Sequence, residues 1–182
     1  FWQVFRFAIP NIMAGNTALL KHASISTGAG QAIKELFIEA GFPKGVFNTL
    51  IVSTSDAQAI IAHPSIAAVT LTGSEKAGIA ISQEAGKHLK KVVMELGGSD
   101  PYLVLDDADL DLAAQTIVYS RLNNTGQVCI AAKRILVDDK VHDALVEKIC
   151  SMVRGYSPMD PMLEDCLLGP MARQDLRQTL HE

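Results

Sequence analysis

Cys129 stands where a thiol can act rather than pack. It follows Asn123-Asn124-Thr125-Gly126-Gln127-Val128, a polar run with a glycine, whereas a core cysteine belongs in an apolar stretch of helix or strand. Backbone N–H groups at such a loop-to-strand junction can favour a thiolate and receive an oxyanion. Taken alone, Cys129 also reads as a plain loop cysteine. Cys150, on the apolar stripe of a helix, and Cys166, in a loop without partners, read as structural. Glu95 ends the apolar run Val92-Val93-Met94 and precedes Leu96-Gly97-Gly98. A carboxylate at the C-terminal end of a parallel strand lies at the crevice where α/β sheets take ligands. Burial there would raise its pKa toward the value a general base needs. The alternative is a salt-bridged strand end.

Two further stretches fit cofactor chemistry. Thr72-Gly73-Ser74-Glu75 joins a strand to a helix, and the free N–H groups of a helix start attract phosphate. The first glycine of a G-x-G-x-x-G fingerprint is absent, so the turn is a weak signal by itself. Lys21-His22-Ala23-Ser24 follows the first strand. A lysine there can meet a ribose hydroxyl or a phosphate, or be simply solvated. His22 alone is a structural histidine as readily as a contact.

These residues need a frame to hold them. Strand patterns cover 17–21, 47–52, 67–72 and 91–96, with the third expected to be buried. Helices are expected over 27–40, 56–63 and 75–86, the first capped by Ser26 or Thr27 and stopped by Gly41 and Pro43. That order, β-α-β-α-β-α-β, predicts one parallel sheet with helices on its faces. After Gly97-Gly98 the pattern restarts. A strand over 102–105 leads to an acidic helix start at 106–111 and a helix to Leu122. The polar loop 123–127, a strand over 133–137 and a helix over 141–155 follow. Residues 157–170 read as loop, and a last helix spans 172–181. The fold class is α/β, in parts of two domains, a Rossmann-like parallel sheet over 1–97 and an α/β catalytic domain over 98–182.

Bulk properties narrow the class. The chain has 182 residues, 48% of them hydrophobic, and a net charge of −4. No basic stripe suits nucleic acid, and no apolar run approaches the ~20 residues that span a bilayer. Three cysteines at irregular spacing, with no metal-ligand pattern, argue against both a disulfide framework and a metal site. Phe1–Phe7 is apolar but lacks a basic leader and a cleavage site, and a cytoplasmic location is expected.

Met94-Glu95-Leu96-Gly97-Gly98-Ser99-Asp100-Pro101, followed about thirty residues later by Gly126-Gln127-Val128-Cys129, resembles the paired signature of NAD(P)-dependent aldehyde dehydrogenases. Thr72-Gly73-Ser74 and Ala14-Gly15-Asn16-Thr17…Lys21 match that family in order and spacing, and the resemblance covers the whole chain. Residues 45–47, 124–134 and 168–173 resemble the bacterial succinate-semialdehyde branch. The resemblance implies that Cys129 attacks an aldehyde, that Glu95 activates the water that hydrolyses the thioester, and that the Cys129 N–H is one oxyanion donor. It implies that Gly73 and Ser74 meet the pyrophosphate of NADP or NAD and that Leu96 lies by the nicotinamide. It also implies that Lys21, with His22, Ala23 and Ser24, meets the adenine-side ribose. Ser24 stands where NAD-preferring members often carry a glutamate, which implies that NADP is accepted. Arg6 matches an arginine that takes the substrate carboxylate, a pairing suited to a guanidinium fork. A second arginine of some members is Asn123 here, which weakens that carboxylate site.

Family members are much longer, so the chain is expected to be a middle segment of a homo-oligomeric enzyme, a dimer or tetramer. The oxyanion asparagine of a Pro-Trp-Asn run and a Glu-x-Phe-Gly-Pro segment are not within these residues. The expectation is that the 182 residues alone are inactive. Competing readings are a related dehydrogenase for another aldehyde, a non-catalytic remnant or binding module, and a plain dinucleotide-binding domain.

Overall fold

Trp2–Met13 forms a helix, α1, that no sequence signal announces. Phe1 supplies no side-chain cap and Pro10 sits inside the helix. Tertiary packing holds it instead. Val4 and Ala8, four residues apart and therefore on one face, are buried, while Trp2 and Met13 are exposed. The computed structural model describes residues 1–182, which divide into two compact units, Phe1–Leu96 and Gly97–Glu182.

The first unit continues with β1 (Ala18–Lys21), α2 (Thr27–Glu39), β2 (Phe47–Leu50), α3 (Thr54–Ala62), β3 (Ala68–Thr72), α4 (Glu75–Lys87) and β4 (Lys91–Glu95). β1 and β2 pair in parallel, Ala18 opposite Phe47 and Lys21 opposite Leu50. β3 and β4 pair in parallel, Ala68 opposite Lys91 and Thr72 opposite Glu95. The expected single sheet is therefore corrected to two two-stranded sheets. Each is a strand–helix–strand unit, and no strand of this chain hydrogen-bonds β1 to β3.

The two pairs differ in cover. Val4, Ala8, Ala18, Ile33, Phe37 and Phe47 make one core, with the Phe37 and Phe47 rings stacked 4.5 Å apart. Burying a side chain such as Ile33 or Phe37 contributes roughly 1.5–3 kcal/mol. β3, expected to be buried, is only half-buried, and most of β4 is exposed. Branched residues were right for the strand, but no second layer covers both faces.

The second unit holds β5 (Pro101–Val104), α5 (Leu110–Leu122), β6 (Arg134–Val137), α6 (His142–Val153) and α7 (Gln174–His181). β5 and β6 pair in parallel from Pro101–Arg134 to Val104–Val137. Val104, Ala114, Ile117, Ala132 and Leu145 form its core. α5 starts later than its acidic run suggests, because Asp109 accepts the N–H groups of Asp111 and Leu112 at 3.0 and 3.1 Å and fixes the first turn. Asp106 pairs instead with Lys140 at 2.6 Å. Cys150 is exposed, not on the apolar stripe; Leu145 and Ile149 carry that stripe, and the next residue points about 100° away. Cys166 does have a partner, a weak thiol contact to the Met159 carbonyl at 3.9 Å.

Candidate active site

The loop that carries Cys129 has unusual backbone geometry. Asn124 (φ 51°), Thr125 (φ 57°) and Gly126 (φ 71°) are three successive left-handed residues. Each non-glycine in that region costs roughly 1–2 kcal/mol, so side chains must hold the turn. The Gln127 side chain donates through Nε2 to Asn124 O at 3.2 Å and accepts the Ala172 N–H at Oε1 at 2.9 Å. Thr125 donates to Gly169 O at 3.0 Å. Arg121 donates to Gly126 O and Ala132 O, Ser120 accepts the Ala132 N–H at 3.1 Å, and Lys133 donates to Cys129 O at 2.6 Å. Cys129 is exposed at the tip, and its N–H has no partner within the chain. The arrangement offers an accessible thiol beside a free N–H donor, which suits attack on a carbonyl and binding of the resulting oxyanion. A Cβ on Gly98 would lie 3.9 Å from Cys129 O, so the Gly97-Gly98 run passes beside this loop.

Arg121, Ser120 and Lys133 hold the Cys129 loop, which sequence reasoning missed. Their partners are mostly backbone atoms, five to twelve residues away for Arg121 and Ser120. Backbone groups leave no mark in a residue pattern.

Glu95 ends β4, as expected, but the expectation of burial is corrected. Its carboxylate is 48% exposed and pairs with Arg6 Nη2 at 2.8 Å. The exposed β3–β4 pair leaves nothing to cover it. The structure thus joins the two residues that the sequence assigned to different tasks. An ion pair this exposed contributes about 1 kcal/mol or less.

The residues read as cofactor contacts fall into two places. Ser74 caps α4, accepting the Ala77 N–H at 3.3 Å, and the Gly73 N–H donates to Glu95 O at 3.0 Å. Leu96 lies over Gly78 so closely that a Cβ there would meet its methyls at 2.8–2.9 Å. Elsewhere, Lys21 turns to the His22 carbonyl at 3.3 Å, and the exposed Ala23 leads into a short 3-10 turn at Ser24–Ser26. His22, Ser24, Thr49, Ser53 and Asp56 line an open cleft of about 350 Å³. His22 Nδ1 is buried there without a hydrogen-bond partner. Ser53's hydroxyl and backbone N–H hold the Asp56 carboxyl below its usual range. Leu50, Ile51 and Val52 give the cleft an apolar side as well, and the start of α4 presents N–H groups of the kind that attract phosphate.

The chain is thus built of parallel strand pairs with helices, and its second unit carries an exposed thiol on an anchored loop. The aldehyde dehydrogenase family model matches residues 1–182, and the chain belongs to that family. It is 44% identical over 179 residues to a succinate-semialdehyde dehydrogenase [NADP(+)] of Deinococcus radiodurans, covering 98% of this chain and 38% of that protein. It is 48% identical over 180 residues to the succinate semialdehyde dehydrogenase [NAD(P)+] Sad of Escherichia coli, covering 99% and 39%. Among solved structures, the succinic semialdehyde dehydrogenase of Streptococcus pyogenes in complex with NADP+ aligns with a TM-score of 0.95 at 38% identity, covering 99% of this chain and 40% of that one. The chain therefore spans about two fifths of the length of these relatives. No helix is long and apolar enough to cross a membrane.

Proposed function

We propose that these residues serve the NAD(P)-dependent oxidation of an aldehyde, succinate semialdehyde, to its carboxylic acid. Residues 1–97 act as part of a dinucleotide-binding domain and 98–182 as part of the catalytic domain of a homo-oligomeric cytoplasmic enzyme. The observation that carries this reading is an accessible Cys129 with an unpartnered N–H, on a loop whose motif matches the family along its length.

The Cys129 thiolate adds to the aldehyde carbon, and the new alkoxide takes the Cys129 N–H. The bound dinucleotide, when present, supplies the hydride acceptor. The cysteine is left as a thioester. Glu95 removes a proton from the water that attacks this thioester, releasing acid and thiol. Ser74 and the N–H groups that follow it receive phosphate. Ser24 places a hydroxyl, with no carboxylate of its own, at the ribose, which favours acceptance of NADP. Arg6 holds the far carboxylate of the substrate. Asn123 does not add a second guanidinium, so the grip rests on Arg6.

The test uses a full-length enzyme carrying this sequence. Cys129→Ala is expected to cut NAD(P)H production by a factor of about 10⁴ or more. Glu95→Gln is expected to slow turnover about 10²–10⁴-fold and to leave a first-turnover burst of reduced cofactor. Full activity in Cys129→Ala would end the reading.

A further inference from the structure

Arg121 is spent on the backbone, and where it is spent matters. It stands in the last turn of α5, a helix fixed by its buried Ala114, Ile117 and Val118. The guanidinium is half-buried and forks. Nη2 donates to Gly126 O at 2.8 Å and Nη1 to Ala132 O at 3.1 Å. Those two carbonyls belong to the residues three before and three after Cys129. Arg121 pairs with no carboxylate. Its charge is therefore directed at carbonyl oxygens alone.

We infer that Arg121 is a positioning residue for the nucleophile, closing the neck of the loop 126–132 that carries Cys129. This inference rests on Cys129 being the nucleophile. A planar fork can bind two carbonyls at a fixed separation, which an ammonium cannot match. Lys133 adds a further tie, donating to Cys129 O at 2.6 Å. Gly126 fits the scheme. A Cβ there would land on Arg121 Nη2, so the guanidinium occupies the space that only a glycine leaves.

The test is the rate of iodoacetamide labelling at one fixed pH in a full-length enzyme carrying this sequence, read peptide by peptide, with Cys150 as internal control. Without the fork, neither Gly126 O nor Ala132 O is tied to α5. Arg121→Met is expected to change the Cys129 labelling rate about threefold or more, with Cys150 unmoved. Arg121→Lys, which keeps the charge and one of the two bonds, is expected to recover only part of the native rate. An unchanged Arg121→Met rate overturns the inference. So does an equal change at Cys129 and Cys150, because that marks general loosening. A lysine variant that labels like the native enzyme overturns the role of the fork, and decides the matter if methionine unfolds the chain. Failure of the nucleophile reading is seen separately, in an active Cys129→Ala enzyme.

Discussion

The turn at Gly73-Ser74 and the loop at Gly126–Cys129 look alike as text, a glycine with polar neighbours beside a candidate site residue. They are built differently. The first follows a strand and starts a helix, so the β3 and α4 backbones fix it, and Ser74 adds one cap bond. A Cβ on Gly73 would meet only ordinary contacts, 3.7 Å or more away. The second has no regular element under it. Three left-handed residues are held by side chains from α5, from Gln127 and Thr125, and by the backbone at 169 and 172. Regular hydrogen bonding places a backbone cheaply. An irregular loop needs a partner for each strained residue, and each partner becomes a point of failure.

Gly126→Ala should have the largest effect. Positive φ at a residue with a Cβ costs roughly 1–3 kcal/mol, and the new methyl also displaces Arg121 and approaches Arg121 O at 2.9 Å. Urea denaturation should show a loss at or above the top of that range, and aldehyde oxidation should fall with it. A loss below about 1 kcal/mol would place the loop on the same footing as the turn. Ser74→Ala should cost about 1 kcal/mol as a lost helix cap, and should raise KM for the cofactor more than it lowers kcat. A changed kcat at unchanged KM would leave Ser74 as a cap only. Arg6→Ala should be the mildest, about 1 kcal/mol or less in stability for an exposed pair. Its mark should be a raised KM for succinate semialdehyde but not for a neutral aldehyde. Equal effects on both substrates would show that Arg6 serves Glu95 alone.

Element types were readable because their signals are local. The helix expected over 75–86 is Glu75–Lys87, set after a strand and a Thr-Gly-Ser turn whose Ser74 caps it. The missed helix at Trp2–Met13 has no cap and carries Pro10, and packing of Val4 and Ala8 into the first core outweighs both. Sheet membership was not local. Branched residues at 68–72 specify a strand but not its neighbours, and the one expected sheet is two.

The sequence by itself determined the identities at the site and the order of the family's motifs, from Gly73-Ser74 through Glu95 to Cys129, because residue types and their spacing are properties of the chain alone. Only the tertiary structure decided their partners. It brought Arg6 to Glu95, left Glu95 half-exposed, and closed the neck of the Cys129 loop with Arg121. The physical reason is that these contacts join side chains to groups set by packing, 89 residues away for Glu95 and Arg6, counted as 95 minus 6. No spacing in the chain encodes a distance that only the fold creates.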